Sequence, residues 1–260
     1  MSASLVEAVA RRDRLVIVVA LILITALAWL YLLSGAGMDM SSMDMDMNMV
    51  MPMAWTASYA LVMFLMWWIM MIAMMLPSAT PTILLSAALN RRARSDTPPY
   101  GSAAFFTLGY LLAWAGFSLA AALLHWLLEQ AGLLSMLMES ASRVLTGLLL
   151  MLAGAWQFTP YKNACLTHCQ SPVDFLVRHR RPGNRGALVM GLHHGCYCLG
   201  CCWFLMALLF VGGVMNLYWI IGLAAYVFLE KFLVRTKWLA PVSGLALLLA
   251  GAAVLSGLAW

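Results

Sequence analysis

Charge is what this sequence has least of. Only 10% of its 260 residues are Asp, Glu, Lys or Arg, against 64% apolar, whereas a soluble domain of this length runs near a quarter charged and half apolar. No single soluble core can bury so much apolar surface, so a water-soluble globular fold is excluded. Nothing in the chain resembles a nucleophile–base pair, a phosphate-binding loop or a paired-carboxylate site, and no catalytic residue is assigned. An Ala-x-Ala cleavage pattern is missing after the first apolar block, which is also too long for a signal core. That block reads as a retained signal-anchor. No internal repeat is visible, and no polar stretch is long enough for a separate soluble domain.

The hydrophobicity falls in long blocks near the ~20 residues that a helix needs to cross ~30 Å of hydrocarbon. They lie at 15–33, 55–76, 103–128, 144–158, 187–211, 214–233 and 238–258. The expected fold is an all-α polytopic transmembrane helix bundle of about seven spans, because helices satisfy their own backbone in lipid. Residues 1–14 form a short N-terminal segment and 15–260 one transmembrane domain, with an outer loop at 34–54 and an inner loop at 159–186. Basic residues set the orientation. Arg11, Arg12 and Arg14 precede span one; Arg91, Arg92 and Arg94 follow span two; Lys162, Arg178, Arg180, Arg181 and Arg185 follow span four; Lys231, Arg235 and Lys237 follow span six. The other connections lack Lys and Arg, apart from Arg143 at a boundary, so the N-terminus is expected inside and the C-terminus outside. The formal charge of +5 is then the bias of a cytoplasmic face and calls for no nucleic acid.

Three features carry chemistry. The outer loop sets Met38, Met40, Met43, Met45, Met47, Met49, Met51 and Met53 among Asp, Ser and Asn. No core explains methionine beside aspartate in a loop. Thioethers are soft ligands that select Cu(I) over hard cations, and acidic neighbours raise the local cation concentration. In span two, Met63, Met66, Met70 and Met74 follow i, i+3, i+4 spacing and line one helix face, although methionine also fills gaps in ordinary cores. The third feature is the densest: all six cysteines and four of five histidines fall between Cys165 and Cys202. His194, Cys198, Cys201 and Cys202 share a face of span five, with His193 and Cys196 beside them, and Cys165, His168 and Cys169 precede them in the inner loop. Polar ligands inside a span mark function by default. Stable disulfides are unexpected on a reducing side, and the spacing matches no zinc finger or ribbon.

At 1.5 Å per residue, His193 stands about 9 Å and Cys202 about 22 Å above the start of span five. Met66 and Met70 are expected near Cys201 and Cys202, and Met74 near His194 and Cys198. His125 and Glu129 share a face near the outer end of span three and read as interfacial residues; Glu230 and Lys231 read as anchors at the inner interface.

Three stretches carry a family resemblance. They are Met70-Met-Ile-Ala-Met-Met-Leu-Pro-Ser78, the run from Gln157 to Pro172 with Cys165-Leu-Thr-His168-Cys169, and His193-His-Gly-Cys-Tyr-Cys-Leu-Gly-Cys-Cys-Trp203, followed by Met215-Asn216 and Glu230-Lys231. Together they resemble a bacterial family of predicted metal-binding integral membrane proteins, some of whose members carry a copper-chaperone label. Where that family's pattern has Cys-Arg-Ser-Pro, this chain has Cys169-Gln170-Ser171-Pro172. The resemblance covers spans two to six and implies metal binding.

The sequence therefore points to a non-enzymatic, multi-pass protein of the bacterial inner membrane that binds Cu(I), or another soft metal. It would act as a copper transporter or as a membrane chaperone that exchanges the ion with a membrane copper enzyme or a periplasmic copper carrier. The alternative is a membrane thiol-disulfide or cofactor-binding oxidoreductase using the cysteines of span five.

Overall fold

The computed structural model describes residues 3–35, 55–92, 99–134, 140, 142–179, 181, 183–233 and 238–258. The outer-loop methionines Met38, Met40, Met43, Met45, Met47, Met49, Met51 and Met53 lie outside these residues. The described residues form helices α1 (Ala3–Leu33), α2 (Ala57–Arg92), α3 (Pro99–Gln130), α4 (Arg143–Gln157), α5 (Pro160–Gln170), α6 (Pro172–Arg178), α7 (Gly183–Ala207), α8 (Leu209–Gly212), α9 (Leu217–Phe232) and α10 (Leu239–Ser256). Strands are absent among them; one isolated bridge joins Leu134 and Ser140.

Five helical stretches are long and apolar enough to cross a membrane: Arg12–Leu33, Ala57–Asn90, Gly101–Gln130, Gly183–Gly212 and Leu239–Ser256. A sixth candidate is α4 with α5, which are bent by 66° at their junction. The 16 residues of α9 rise only about 24 Å, short of a ~30 Å core. Leucines and valines of α1, α3 and α10 stand exposed along the outside, as lipid-facing positions would.

Two departures from the sequence reading shape the interior. First, α2 does not stop near residue 76 but continues through Pro77 and Pro81 to Arg92. Each proline removes an N–H and leaves the carbonyl four residues earlier without its helical donor. Hydroxyls gather on this stretch: Ser78 and Tyr110 donate to the Met75 carbonyl at 2.8 and 3.1 Å, and Thr80 to that of Leu76 at 3.2 Å. Second, 159–186 is not an open loop. Thr159 caps α5 with Pro160 in its first turn, and Ser171-Pro172 starts α6.

The centre of the molecule is the packing of α3 against both α7 and α2. Gly191 permits the closest approach: a Cβ there would strike the Phe106 carbonyl, and one at Gly195 would meet the Ala113 Cβ at 2.5 Å. Small residues four apart allow such backbone contact between membrane helices. The contact sets His194 against α3.

Candidate metal centre

On α7 the spacing of His194, Cys198, Cys201 and Cys202 turns all four inward; they are 3%, 1%, 0% and 0% exposed. The Cys201 and Cys202 thiols each donate to the Cys198 carbonyl at 3.0 Å, one turn back. Cys202 interacts side chain to side chain with Cys198 and Cys201. From α5, Cys169 reaches the same two thiols. Cys165, on the next turn of α5, packs on Gly200 and lies near Cys201. Four thiols from two helices thus share one buried volume, a fifth borders it, and all six cysteines are free.

The sulfur of Cys198 is the hub. Lys231 Nζ donates to it at 2.9 Å and Tyr110 lies 3.2 Å away. Lys231 also donates to Ser78 Oγ at 3.0 Å and approaches Met75 Sδ at 3.9 Å. The sequence reading of Glu230 and Lys231 as interfacial anchors is therefore wrong: both are buried. Glu230 pairs at 2.6 Å with Lys162, itself 0% exposed, so Lys162 is not a loop charge either. Gln170 Nε2 donates to the Glu230 carbonyl at 2.9 Å. The residue at the departure from the family pattern thus ties α5 to α9. A buried charge persists only where it is paired and hydrogen-bonded, and this network fixes Lys231 against Cys198.

His194 sits in an aromatic box, with its ring centre 6.0, 5.9 and 5.3 Å from those of Phe106, Tyr110 and Phe175. Its Nδ1 has no hydrogen-bond partner among the described residues, although Cys198 and Lys231 are within electrostatic range. An orphaned buried nitrogen costs about 1–3 kcal/mol and asks for an explanation such as an ion or a water. Thiols, a thioether and an imidazole are the donors that suit Cu(I). Among the described residues, no three His, Cys, Asp or Glu side chains stand ready around one point as ligands. Filling this volume therefore requires side-chain rotation.

The other sequence candidates scatter. Cys196 is exposed, outside the buried thiols. His193 is half-buried, with its ring 6.0 Å from that of His179. His168 stacks on Tyr197 at 4.2 Å and lies 6.5 Å from His179. Met63, Met66, Met70 and Met74 are all buried in the core. The methionine brought to the thiols through Lys231 is Met75, one residue past the expected Met74. Sequence reasoning also passed over His179, which lies in a run of arginines. His168 and His179 donate Nδ1–H to the carbonyls of Ala164 and Phe175 at 2.8 and 3.1 Å. Each thereby keeps its Nε2 lone pair free, the orientation common among metal-ligating histidines.

No curated protein and no solved structure matches this chain. Residues 64–254, most of the sequence and all the buried thiols and histidines described above, match the PpoB2 copper chaperone family, and the chain belongs to that family.

Proposed function

We propose that the protein spans the bacterial inner membrane seven times, with α4 and α9 as short spans that the bilayer accommodates by local thinning and with the N-terminus inside, and relays Cu(I) from the outer face to the buried thiols. The methionines of 38–53 collect the ion. Met63, Met66, Met70 and Met74 offer exchangeable thioethers along α2. The holding site is Cys198, Cys201, Cys202 and Cys169 with His194, flanked by Cys165; His193, His168 and Cys196 lie at its margin as transfer ligands. The ion is cargo, and each step exchanges one ligand for another without redox change. The family membership favours delivery to a copper protein, in the membrane or the periplasm, over net uptake.

The observation that carries this reading is the convergence of four thiols and an orphaned imidazole nitrogen around Cys198, with Lys231 hydrogen-bonded to its sulfur. Charge balance supports it. Lys231 and one Cu(I) together neutralise two thiolates, so the loaded centre adds no net charge to the interior.

The test is copper content of the purified full-length protein, beside thiol titration before and after reduction. Stoichiometric Cu(I) with unchanged thiols supports the relay. A reducible disulfide without metal would replace it by the oxidoreductase reading, for which the proximity of Cys201, Cys202 and Cys169 is the structural argument. Fusion reporters at residue 260 and within 91–99 test the topology; equal cytoplasmic signals at both would refute it.

A further inference from the structure

We infer that His125 and Met63 form a second Cu(I) site, at the outer end of the α2–α3 seam. The inference rests on the copper relay proposed above. His125 is not the interfacial residue that its sequence position suggests. It is 2% exposed and its Nδ1 has no partner among the described residues. Its ring centre lies 6.3 Å from Trp55 and 6.0 Å from Phe210, so it is enclosed by α8 as well as by the start of α2. Glu129, one turn outward, accepts from the Trp55 indole at 2.7 Å. That bond pins the first described residue after the methionine-rich stretch directly over His125.

The register of the two helices brings a soft ligand to the same place. Trp55 bonds Glu129, Trp68 bonds the Leu111 carbonyl and Tyr110 bonds the Met75 carbonyl, so α2 and α3 run antiparallel. Trp55 packs edge-on against Tyr59 with ring centres 5.0 Å apart, and Tyr59 and Met63, four residues apart, share a face of α2. By that register Met63, fully buried, stands one turn inward of His125, opposite Ala121 and Ala122. Imidazole and thioether both suit Cu(I), and neither suits a hard cation in this pairing.

The site has a continuation. Eight buried side-chain nitrogen or oxygen atoms lack a partner among the described residues. Six of them lie on α2, α3 and α7: His125 Nδ1, Ser118 Oγ, Trp114 Nε1, Trp67 Nε1, His194 Nδ1 and, in the first turn of α7, Asn184 Oδ1. On α3, Ser118 and Trp114 lie about 10 and 16 Å inward of His125 at 1.5 Å per residue. The seam thus runs from His125 toward the thiols, lined by unpartnered polar atoms of α3, α2 and α7 and by the α2 methionines.

The experiment is nitrogen-15 NMR of the full-length protein, labelled at histidine and titrated with Ag(I) as the redox-inert probe. Five histidines can be assigned by single His→Gln variants. Silver nuclei are spin-½, so a direct bond splits the nitrogen resonance. The His125 Nδ1 signal should shift and split, and Met63→Leu, which preserves core volume, should weaken that titration about tenfold by removing one soft ligand. A His125 signal that stays fixed while His194 responds overturns this site and leaves the relay standing. An unchanged midpoint in Met63→Leu overturns the pairing with Met63. No response from any histidine, with no silver retained by the protein, overturns the copper reading and this site with it.

Discussion

Replacing Glu230 by Gln should destabilise the protein by several kcal/mol and disturb the thiol centre that Glu230 never touches. The pair with Lys162 is fully enclosed, at 0% and 3% exposure and 2.6 Å. Removing one partner of such a pair strands a charge in a low-dielectric interior, which costs about 3–5 kcal/mol. The remaining contacts of Glu230 are weaker: Tyr226 donates to Oε1 at 3.4 Å, and Oε2 has no partner. At roughly 2–4 °C per kcal/mol for a chain of this size, the midpoint of thermal unfolding in detergent should fall by roughly 6–20 °C. Lys162→Met combined with Glu230→Gln removes both charges and should recover most of that loss. Because Glu230 adjoins Lys231 on α9, the single variant should also load copper more slowly, and the double variant should restore much of the rate. A fall below about 1 kcal/mol, or a double variant less stable than the single one, would refute the view that this pair holds α9 against α5.

Further outcomes follow from the same geometry. Gly191→Ala should destabilise by about 1–3 kcal/mol, since its Cβ meets the Phe106 carbonyl and backbone must move to admit it; an unchanged unfolding midpoint counts against the α3–α7 contact. Leu in place of the methionines of 38–53 should lower loading when copper is scarce and spare it when copper is abundant, because thioethers hold Cu(I) less tightly than thiolates; equal loss at both levels refutes a collecting role. Cu(I) loading should release protons, because thiols bind the ion as thiolates, so affinity should fall as pH falls; loading without proton release in weakly buffered solution would contradict thiolate ligation.

The parts of the site that were legible in the sequence are those written within one helix. The spacing of His194, Cys198, Cys201 and Cys202 is a local pattern, and α7 turns all four inward. Cys169 joins them because 160–170 is helical, as its pattern allowed. What sequence could not show was pairing across distance. Lys162 and Glu230 are 68 residues apart, and each alone resembles an interfacial charge. Lys231 belongs to the centre only because α9 folds back along α2 and α7. His125 was misjudged for the same reason: the apolar cover supplied by Phe210 comes from another helix. The end of α2 was misplaced because proline ordinarily closes a helix. Inside a bundle, prolines are tolerated within a helix where neighbouring helices and side chains satisfy the freed backbone groups.

The central claim is that Cu(I) is held by the thiols around Cys198, and X-ray absorption at the copper edge of the loaded protein tests it most directly. The wild type should show a sulfur-dominated Cu(I) shell at one ion per chain. In Cys198→Ser combined with Cys201→Ser, that shell and the stoichiometric copper should both be lost. Full copper with unaltered sulfur ligation in the double variant would place the site elsewhere.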